Sequence, residues 1–295
     1  MVYFIIVTYN GIAWIEKCLS SLQFCDTDFK AIVIDNGSTD GTQKVISQFP
    51  DVIFIQSEEN LGFGKANNIG IAKAIREGAE YLFLLNQDAY LYKGSVKKVI
   101  EMFAKDEKIG IISPIHYTGN GKNLDISFYE YAKQAKTPEL MGDLLQNEYK
   151  ELYKTEFVNA AAWIVKRSVY EKIGLFHPIF DHYSEDVEYV YRMQENNFEI
   201  YISPYLSVIH DRTDSGKVSF FNPYLTIYRM FLMSFLGFGG FSYFSIFVRF
   251  VFYFLSSIFT LRFKNAYLLV FYYIKSLRSL YKLKTNQYKL AIEDY

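Results

Sequence analysis

The stretch Val2-Tyr3-Phe4-Ile5-Ile6-Val7-Thr8-Tyr9-Asn10 at the start of the chain decides the fold. Its run of β-branched and aromatic residues predicts a buried strand, and polar residues follow directly. It has no basic segment and no small-residue cleavage site, so it predicts a strand rather than a signal peptide. Similar runs at residues 30–34, 52–55 and 81–85 alternate with helical patterns near 12–23, 41–48 and 65–77. This alternation predicts an α/β fold with a doubly wound, mostly parallel sheet and flanking helices.

Polar segments follow each of these predicted strands. They are Thr8-Tyr9-Asn10, Asp35-Asn36-Gly37-Ser38-Thr39-Asp40-Gly41, Asn60-Leu61-Gly62-Phe63-Gly64 and Asn86-Gln87-Asp88. Open α/β sheets bind ligands beyond the carboxyl ends of their strands, so we expect these segments to meet at one edge of the sheet.

Each segment has a local interpretation beside the functional one. Asp35, at a strand end, can accept the imide N–H of a uracil or thymine, but a turn followed by a helix cap explains the same residues. The glycines after Asn60 are typical of a phosphate cradle at a helix start. Asn67 and Gly70 on that helix indicate either a nearby ligand or close helix packing.

Asp88 follows an apolar run that fixes it above the sheet. A hard cation such as Mg²⁺ or Mn²⁺ prefers oxygen ligands and keeps one or two protein carboxylates beside substrate phosphates. His210, after the apolar residues 201–209, is a further candidate ligand or a diphosphate contact, and a structural histidine is the alternative. The sequence thus predicts a metal site at Asp88.

A second acidic site lies at Tyr183-Ser184-Glu185-Asp186-Val187-Glu188, with Arg192 one and a half helical turns on. Adjacent carboxylates between aromatic and apolar neighbours tend to mark places where protons move. One acidic site can hold a metal while the other acts as a base.

Composition divides the chain near Val218. Residues 216–295 hold ten Lys and Arg against two Asp and Glu, among many Phe and Tyr residues, whereas the preceding part is acidic. A basic and aromatic tail fits a membrane surface better than nucleic acid. The two cysteines match no disulfide or metal pattern, which indicates a reducing cytoplasm. We therefore expect a catalytic domain at 1–217 and a helical tail at 218–295.

The motifs together resemble family 2 glycosyltransferases of the GT-A fold, over about residues 1–215. The resemblance rests on the four strand-end segments, on Lys65-Ala66-Asn67-Asn68-Ile69-Gly70 and on Glu185-Asp186, all in the family's order. Asn86 replaces the first carboxylate of the family's DxD motif. Such Asn-x-Asp variants resemble the rhamnosyltransferase-like branch, whose usual donor is dTDP-L-rhamnose.

The resemblance implies an inverting, metal-dependent transferase that uses a dTDP- or UDP-sugar and a glycan or lipid-linked glycan acceptor. Asp186 would be the catalytic base, with Glu185 beside it holding acceptor or donor hydroxyls. Asp88 would bind Mg²⁺ or Mn²⁺, with His210 near the metal or the diphosphate. The residues assigned to the donor are Thr8, Tyr9, Asn10, Asp35, Asn36, Gly62, Lys65, Asn67, Asn86, Gln87 and Arg212.

Two other functions stay open. A nucleotidyltransferase also binds nucleotides on a doubly wound sheet, but it would carry a basic Gly-rich loop after the first strand, where this chain has Tyr9-Asn10-Gly11. A non-catalytic membrane protein that binds a nucleotide sugar or a glycan would retain the fold, and intact Asp88 and Asp186 argue against it. The fold alone cannot decide between them.

The run Phe241–Leu261 is about long enough to span a bilayer. Polar residues at three- and four-residue steps instead predict a polar stripe on an apolar helix: Ser242, Ser245, Arg249, Tyr253, Ser256, Thr260 and Lys264. We expect the tail to lie peripherally on the cytoplasmic face of the inner or plasma membrane, with Lys275, Arg278 and Lys282 towards anionic headgroups. A crossing, a re-entrant hairpin, burial against the catalytic domain and homo-oligomer formation through the tail are the alternatives.

Overall fold

The computed structural model describes residues 1–133, 135–181, 183–211, 223–237, 242–285 and 291–295. Within them, nine strands form one sheet: β1 (Val2–Thr8), β2 (Phe29–Asp35), β3 (Val52–Gln56), β4 (Tyr81–Leu85), β5 (Ala89–Gly94), β6 (Ile109–Thr118), β7 (Tyr153–Thr155), β8 (Ala162–Lys166) and β9 (Glu199–His210).

The α-helices of these residues are α1 (Ile15–Ser21), α2 (Thr42–Ile46), α3 (Phe63–Arg76), α4 (Val96–Glu101), α5 (Ile126–Ala132), α6 (Leu140–Gln146), α7 (Arg167–Ile173), α8 (Glu185–Glu195), α9 (Pro223–Phe235), α10 (Tyr243–Phe259) and α11 (Phe263–Lys284). Short 3₁₀ helices occupy Leu22–Phe24, Met102–Ala104 and Ile292–Asp294.

The strands follow the spatial order β3-β2-β1-β4-β8-β6-β9-β5, with β7 also paired to β9. β1 is parallel to β2 and β4, and β2 is parallel to β3, as the alternating pattern predicts. Beyond β4 the sheet is mixed: β8 is antiparallel to β4 and β6, while β9 is parallel to β6 and antiparallel to β5 and β7. The predicted α/β sheet with flanking helices is confirmed, and its antiparallel pairs are the added feature.

Both faces of the first strand are buried. Tyr3 and Ile5 belong to one hydrophobic cluster with side chains of α3 and α8, and Phe4 belongs to another with α1 and α4. A strand covered on both faces gains nothing from alternating polarity, which explains the unbroken apolar run. Gly70 of α3 lies so close to the sheet that an added Cβ would come within 2.6 Å of Ile5 and Ile34. Close helix packing therefore accounts for Gly70.

One strand boundary differs from its sequence pattern, and two other stretches form elements that their patterns leave open. The apolar residues 157–165 predict a strand, but β8 begins only at Ala162. The residues before it form a loop, in which the Val158 carbonyl accepts the indole N–H of Trp163 at 3.1 Å. The residues 170–173 belong to α7. The weakly patterned stretch 119–154 contains α5, α6 and β7, whose short lengths give little periodicity to detect.

The three tail helices pack on one another around Phe231, Ile246 and Leu269. α9 also packs on the segment before α8, where Tyr228 and Leu232 join Phe180 in one cluster. Burial of the tail against the expected catalytic domain, one of the alternatives above, is therefore observed for α9. The expected division at residues 217 and 218 lies outside the described residues.

The polar stripe differs in extent from its prediction. α10 ends at Phe259, so Lys264 lies on α11 instead of continuing the stripe. α10 also exposes Phe244, Phe252 and Phe259, so its solvent-facing surface is apolar as well as polar. In the part of the chain that the structure describes, no helix combines the length and the apolarity that a membrane crossing requires.

Candidate active site

The ends of β1, β2 and β4 bring the first polar segments together. Thr8 is opposite Asp35 in the β1–β2 pair. The hydroxyl of Thr8 and the backbone N–H of Tyr9 both donate to Oε1 of Gln87, at 2.6 and 2.9 Å. An added Cβ on Gly11 would lie only 2.2 Å from the same oxygen, so a larger residue there would displace the Gln87 amide. Gln87 is thereby fixed against the end of β1.

Asp35 is fully buried and already has partners in the protein. Its Oδ2 accepts from Nε2 of Gln43 at 2.7 Å, and its Oδ1 accepts from the N–H of Ser38 at 3.3 Å. Asn10 joins the same turn, because its N–H donates to Oγ of Ser38 at 2.8 Å. The turn interpretation explains these contacts. Each carboxylate oxygen can accept two hydrogen bonds, so Asp35 could still accept one from a base. Recognition of a base by Asp35 therefore stays a prediction.

The glycine loop is held between β2 and the segment before α8. Oδ1 of Asn36 accepts from the N–H of Leu61 at 2.8 Å, and its Nδ2 donates to Oδ1 of Asn60 at 2.9 Å. Gly62 has φ +83°, and an added Cβ would lie 2.0 Å from the carbonyl oxygen of Asp181. This geometry fixes the loop beside the carboxylate segment.

For four other residues assigned to the donor, the described part of the chain gives no hydrogen bond with the turns at the ends of β1 and β2. Asn67 is buried, and its Nδ2 donates to the Phe63 carbonyl at 3.0 Å within the same helix. Lys65 lines a cavity shared with the tail helices. The backbone N–H of Asn86 donates to the Ala161 carbonyl at 2.9 Å. Arg212 lies outside the described residues. The donor contacts of these four residues stay predictions.

Asp88 and His210 lie side by side. Pairing of β5 with β9 sets Ala89 opposite His210, and Oδ1 of Asp88 is 3.5 Å from Nε2 of His210. The Nδ1 atom of His210 is 3.5 Å from Oδ2 of Asp125, whose Oδ1 caps α5 by accepting from the Phe128 N–H at 2.9 Å. A carboxylate on the far side of an imidazole orients the ring, as in many metal sites. Asp88 is partly exposed, whereas His210 is buried.

The Asp88 carboxylate and the His210 imidazole offer two of the several ligands that a divalent cation takes. No group of three or more His, Cys, Asp and Glu side chains capable of holding a metal ion occurs in the described segments. Adjacent ligands of an octahedral ion are about 3 Å apart, close to the Asp88–His210 separation. Magnesium sites commonly take one or two protein ligands and complete their shell with substrate phosphates and water. Two protein ligands beside a diphosphate are chemically sufficient.

The second acidic site begins α8. Tyr183 and Ser184 have φ +65° and +75°, a strained left-handed conformation for residues other than glycine. This turn directs Glu185 and Asp186 into the first turn of the helix, where the helix dipole favours negative charge. Strained backbone of this kind is concentrated at functional sites.

The two carboxyl groups of this site differ in their surroundings. Burial, and then the neighbouring Asp186 carboxylate, raise the pKa of Glu185 to about 8. Its Oε2 atom has no hydrogen-bond partner among the residues described. Burial also raises the pKa of Asp186, against backbone N–H groups of Val187 and Ala160 that favour its charged form. Oδ1 of Asp186 accepts from the Val187 N–H at 2.9 Å. With a pKa of about 8, the Glu185 carboxyl stays largely protonated at neutral pH.

Arg192 does not serve this carboxylate pair. Its guanidinium forms two hydrogen bonds with Glu188, at 2.8 and 2.9 Å, and also donates to the carbonyls of Ile173 and Leu175. Both side chains are largely buried, so this ion pair holds α8 against the end of α7. The spacing of four residues along one helix was the available signal for this pairing.

Two residues near the site were missed by sequence reasoning. The guanidinium carbon of Arg229, on α9, lies 4.8 Å from the ring centre of Tyr183. Its positive charge offsets part of the rise that burial causes in the pKa values of Glu185 and Asp186. Asn68 exchanges two hydrogen bonds with the backbone of Phe176, at 2.9 and 3.0 Å, and so ties α3 to the segment before α8. Arg229 had no local signal because it lies within the aromatic tail.

The fold is that of solved glycosyltransferases. The structure of S. aureus TarS 1–349 in complex with UDP aligns with a TM-score of 0.54 at 18% identity, over 79% of this chain and 64% of that one. This chain therefore spans less than two thirds of that protein. At such identity the likeness shows the fold, and the predicted GT-A class is confirmed.

The family is shown by the sequence itself. The model described as Glycosyl transferase family 2 matches residues 3–174, and the chain belongs to this family. One relative is N-acetylglucosaminyl-diphospho-decaprenol L-rhamnosyltransferase of Mycobacterium tuberculosis, 23% identical over 71% of this chain and 75% of its own length. Another is dTDP-rhamnosyl transferase RfbF of Shigella flexneri, 24% identical over 71% of this chain and 68% of its own length. The family resemblance is confirmed, and these relatives agree with its rhamnosyltransferase-like branch.

Proposed function

We propose that this family 2 enzyme is an inverting glycosyltransferase. It transfers a sugar from a nucleotide-diphosphate donor to a growing cell-surface polysaccharide or a lipid-linked glycan. The observation that carries the proposal is the presence of two separate acidic sites on one fold. Asp88 with His210 lies at the strand-end edge, and Glu185 with Asp186 begins α8. Inversion needs a base on the acceptor side and charge stabilisation on the leaving-group side. The two acidic sites can supply one of these functions each.

Asp186 is the proposed base. It takes the proton of an acceptor hydroxyl while that oxygen attacks the anomeric carbon, and the bond from that carbon to the diphosphate oxygen breaks. One displacement on the opposite face inverts the configuration. Glu185, protonated at neutral pH, donates a hydrogen bond to a hydroxyl of the acceptor or the donor. Two adjacent carboxyl groups in different surroundings thus take different roles.

Asp88 and His210 are the proposed ligands of Mg²⁺ or Mn²⁺. When bound, the cation would offset the negative charge that develops on the departing diphosphate. Asp125 holds the His210 ring with its Nε2 atom towards Asp88. Asn86 offers its amide to a ribose hydroxyl in place of a carboxylate.

The proposed donor is dTDP-L-rhamnose, with UDP-sugars as the alternative. The rhamnosyltransferase names of the relatives and the Asn86-Gln87-Asp88 motif support it. The acceptor is proposed to be lipid-linked, because the first of these relatives carries a diphospho-decaprenol substrate in its name.

The tail is proposed to hold the enzyme peripherally on the cytoplasmic face of the membrane. Its exposed apolar side chains are the support: Phe244, Val248, Phe252, Leu255, Phe259, Phe263, Tyr267, Phe271 and Tyr281. Exposed apolar side chains in this number mark a membrane or protein contact, and the basic residues of the tail favour anionic lipid. We keep residues 1–217 as the proposed catalytic domain and 218–295 as the membrane-associating tail.

Nucleoside diphosphate release tests the proposed function. The full chain is incubated with dTDP-L-rhamnose or a UDP-sugar, with and without a short-chain N-acetylglucosaminyl-diphospho-lipid. We expect release that depends on the acceptor, with a glycosylated product. Release of inorganic pyrophosphate from a nucleoside triphosphate would instead indicate a nucleotidyltransferase. Nucleotide-sugar binding without turnover on any acceptor of a broad panel would indicate a non-catalytic binding protein.

A further inference from the structure

A basic cavity of about 260 Å³ lies between the catalytic part and the tail. Lys65 at the start of α3 and Asp181 before α8 line one side, and Lys275, Arg278 and Lys282 of α11 line the other. The cavity thus joins the glycine loop and the segment that leads to Glu185 with a helix for which the sequence analysis favours the membrane surface.

The charge in this cavity is unbalanced. Nζ of Lys275 is 2.5 Å from Oδ2 of Asp181, so this lysine has a carboxylate partner. Lys65, Arg278 and Lys282 form no ion pair with any carboxylate in the described parts of the chain. Three cations that pair with no described carboxylate around one concave space favour an anion of two or more charges.

A shallow, open apolar groove formed by α11 alone begins at Arg278 and Lys282, two of these three cations. It is lined by Ile274, Leu277 and Tyr281 together with Arg278 and Lys282. The three apolar side chains are all exposed, and their spacing sets them on one face of α11. A ligand that fills both spaces therefore carries its anionic group at one end and a hydrocarbon chain at the other.

We propose that the cavity and groove together bind one phosphate-bearing lipid, with its phosphate or diphosphate in the cavity and the first part of its hydrocarbon chain along the groove. This inference rests on the proposed function, since it identifies the part of the enzyme that holds a lipid-linked acceptor. Asp181 precedes Glu185 by four residues, so the bound phosphate would lie beside the segment that carries the proposed base. Free phosphate would leave the groove unused, and an uncharged lipid would leave the cations unpaired.

Binding of farnesyl diphosphate below its micelle concentration tests this site. Calorimetry on the full-length protein compares wild type with Arg278→Glu/Lys282→Glu and with Lys264→Glu/Lys284→Glu. The second double variant changes the same total charge on the same helix, at exposed positions that do not line the cavity. We expect tenfold or greater weakening, about 1.4 kcal/mol or more, in the first variant and less than about twofold in the second.

Two further measurements test this site, and the second of them separates it from the donor site. Lys65→Gln, on the opposite wall, should also weaken farnesyl diphosphate binding several-fold. The affinity for dTDP or UDP should be unchanged in Arg278→Glu/Lys282→Glu. Equal losses in both double variants would overturn the proposal by showing a nonspecific charge effect. Binding of inorganic pyrophosphate as tight as that of farnesyl diphosphate would overturn the lipid assignment. Lipid-phosphate binding without sugar transfer would contradict the proposed function but would leave the lipid site in place.

Discussion

Nε2 of His210 lies 3.5 Å from Oδ1 of Asp88, although the two residues are more than a hundred positions apart in the chain. The backbone causes this approach: the N–H of Asp211 donates to the Asp88 carbonyl at 2.7 Å, and Ala89 is opposite His210 in the antiparallel pair. Asp125 contacts the other nitrogen of the ring. The Asp88 carboxylate and the imidazole are therefore held together before any ligand binds.

This arrangement predicts a divalent metal requirement. Asp88→Ala should lower turnover by about 10²-fold or more, because the diphosphate would lose its main source of charge stabilisation. EDTA should abolish transfer, and Mg²⁺ or Mn²⁺ should restore it. Mn²⁺ should also tighten dTDP binding in wild type but not in Asp88→Ala. The matched control is Asp51→Ala, at an exposed position. Full activity in chelator, with an active Asp88→Ala protein, would refute the requirement, and His210→Ala tests the second ligand separately.

The raised pKa of Glu185 predicts how stability depends on pH. The unfolded chain loses this proton near pH 4.5, whereas the folded protein keeps it until about pH 8. Between these values the folded state binds more protons, so its free energy of unfolding falls as pH rises. Glu185→Gln removes this dependence and should be more stable than wild type at pH 8 by about 1 to 3 kcal/mol, with a smaller gain at pH 5.

Urea unfolding at the two pH values checks this prediction. Glu195→Gln makes the same chemical change at an exposed position of the same helix and serves as the control. A Glu185→Gln variant whose stability follows wild type in parallel at both pH values would show that this carboxyl is not held protonated.

Arg229 is predicted to keep Asp186 ionised. Its positive charge lowers the pKa of Asp186, so Arg229→Gln should raise that pKa and move the acidic limb of the kcat/KM profile to higher pH. We expect kcat/KM to be about threefold or more below wild type on the acidic limb of the profile and to recover at higher pH. Arg249→Gln on α10 is the matched control. A loss that is the same at every pH would mean that Arg229 acts only through packing.

The exposed Phe side chains of α10 are predicted to mediate membrane association. Phe252→Ser/Phe259→Ser removes two aromatic rings that would enter the lipid, each worth about 1.5–3 kcal/mol. Binding to phosphatidylcholine vesicles containing phosphatidylglycerol should weaken by about 10²-fold in a sedimentation assay. Phe24→Ser, at an exposed position of the catalytic part, should bind like wild type. Unchanged binding of the double variant would assign this apolar surface to a protein contact.

The sequence predicted the parallel half of the sheet well and the site contacts less well. β1 to β4 are local apolar runs, and their polar ends had to meet once the strands were parallel. The approach of His210 to Asp88 depends on pairing between β5 and β9, which no local pattern records. Arg192 was associated with the carboxylate pair, although its spacing of four residues from Glu188 pointed to the observed partner. Arg229 reaches the site only because α9 folds back on the catalytic part.

The kinetics of Asp186→Asn are the sharpest test of the proposed mechanism. Proton removal from the acceptor is assigned to this carboxylate, at the helix start that also carries Glu185. Acceptor-dependent sugar transfer and the donor dissociation constant are measured in the same preparation, beside Glu195→Gln as a folded control. We predict that turnover falls by about 10²-fold or more while donor affinity stays within about twofold of wild type. Turnover near that of wild type in Asp186→Asn would contradict this assignment.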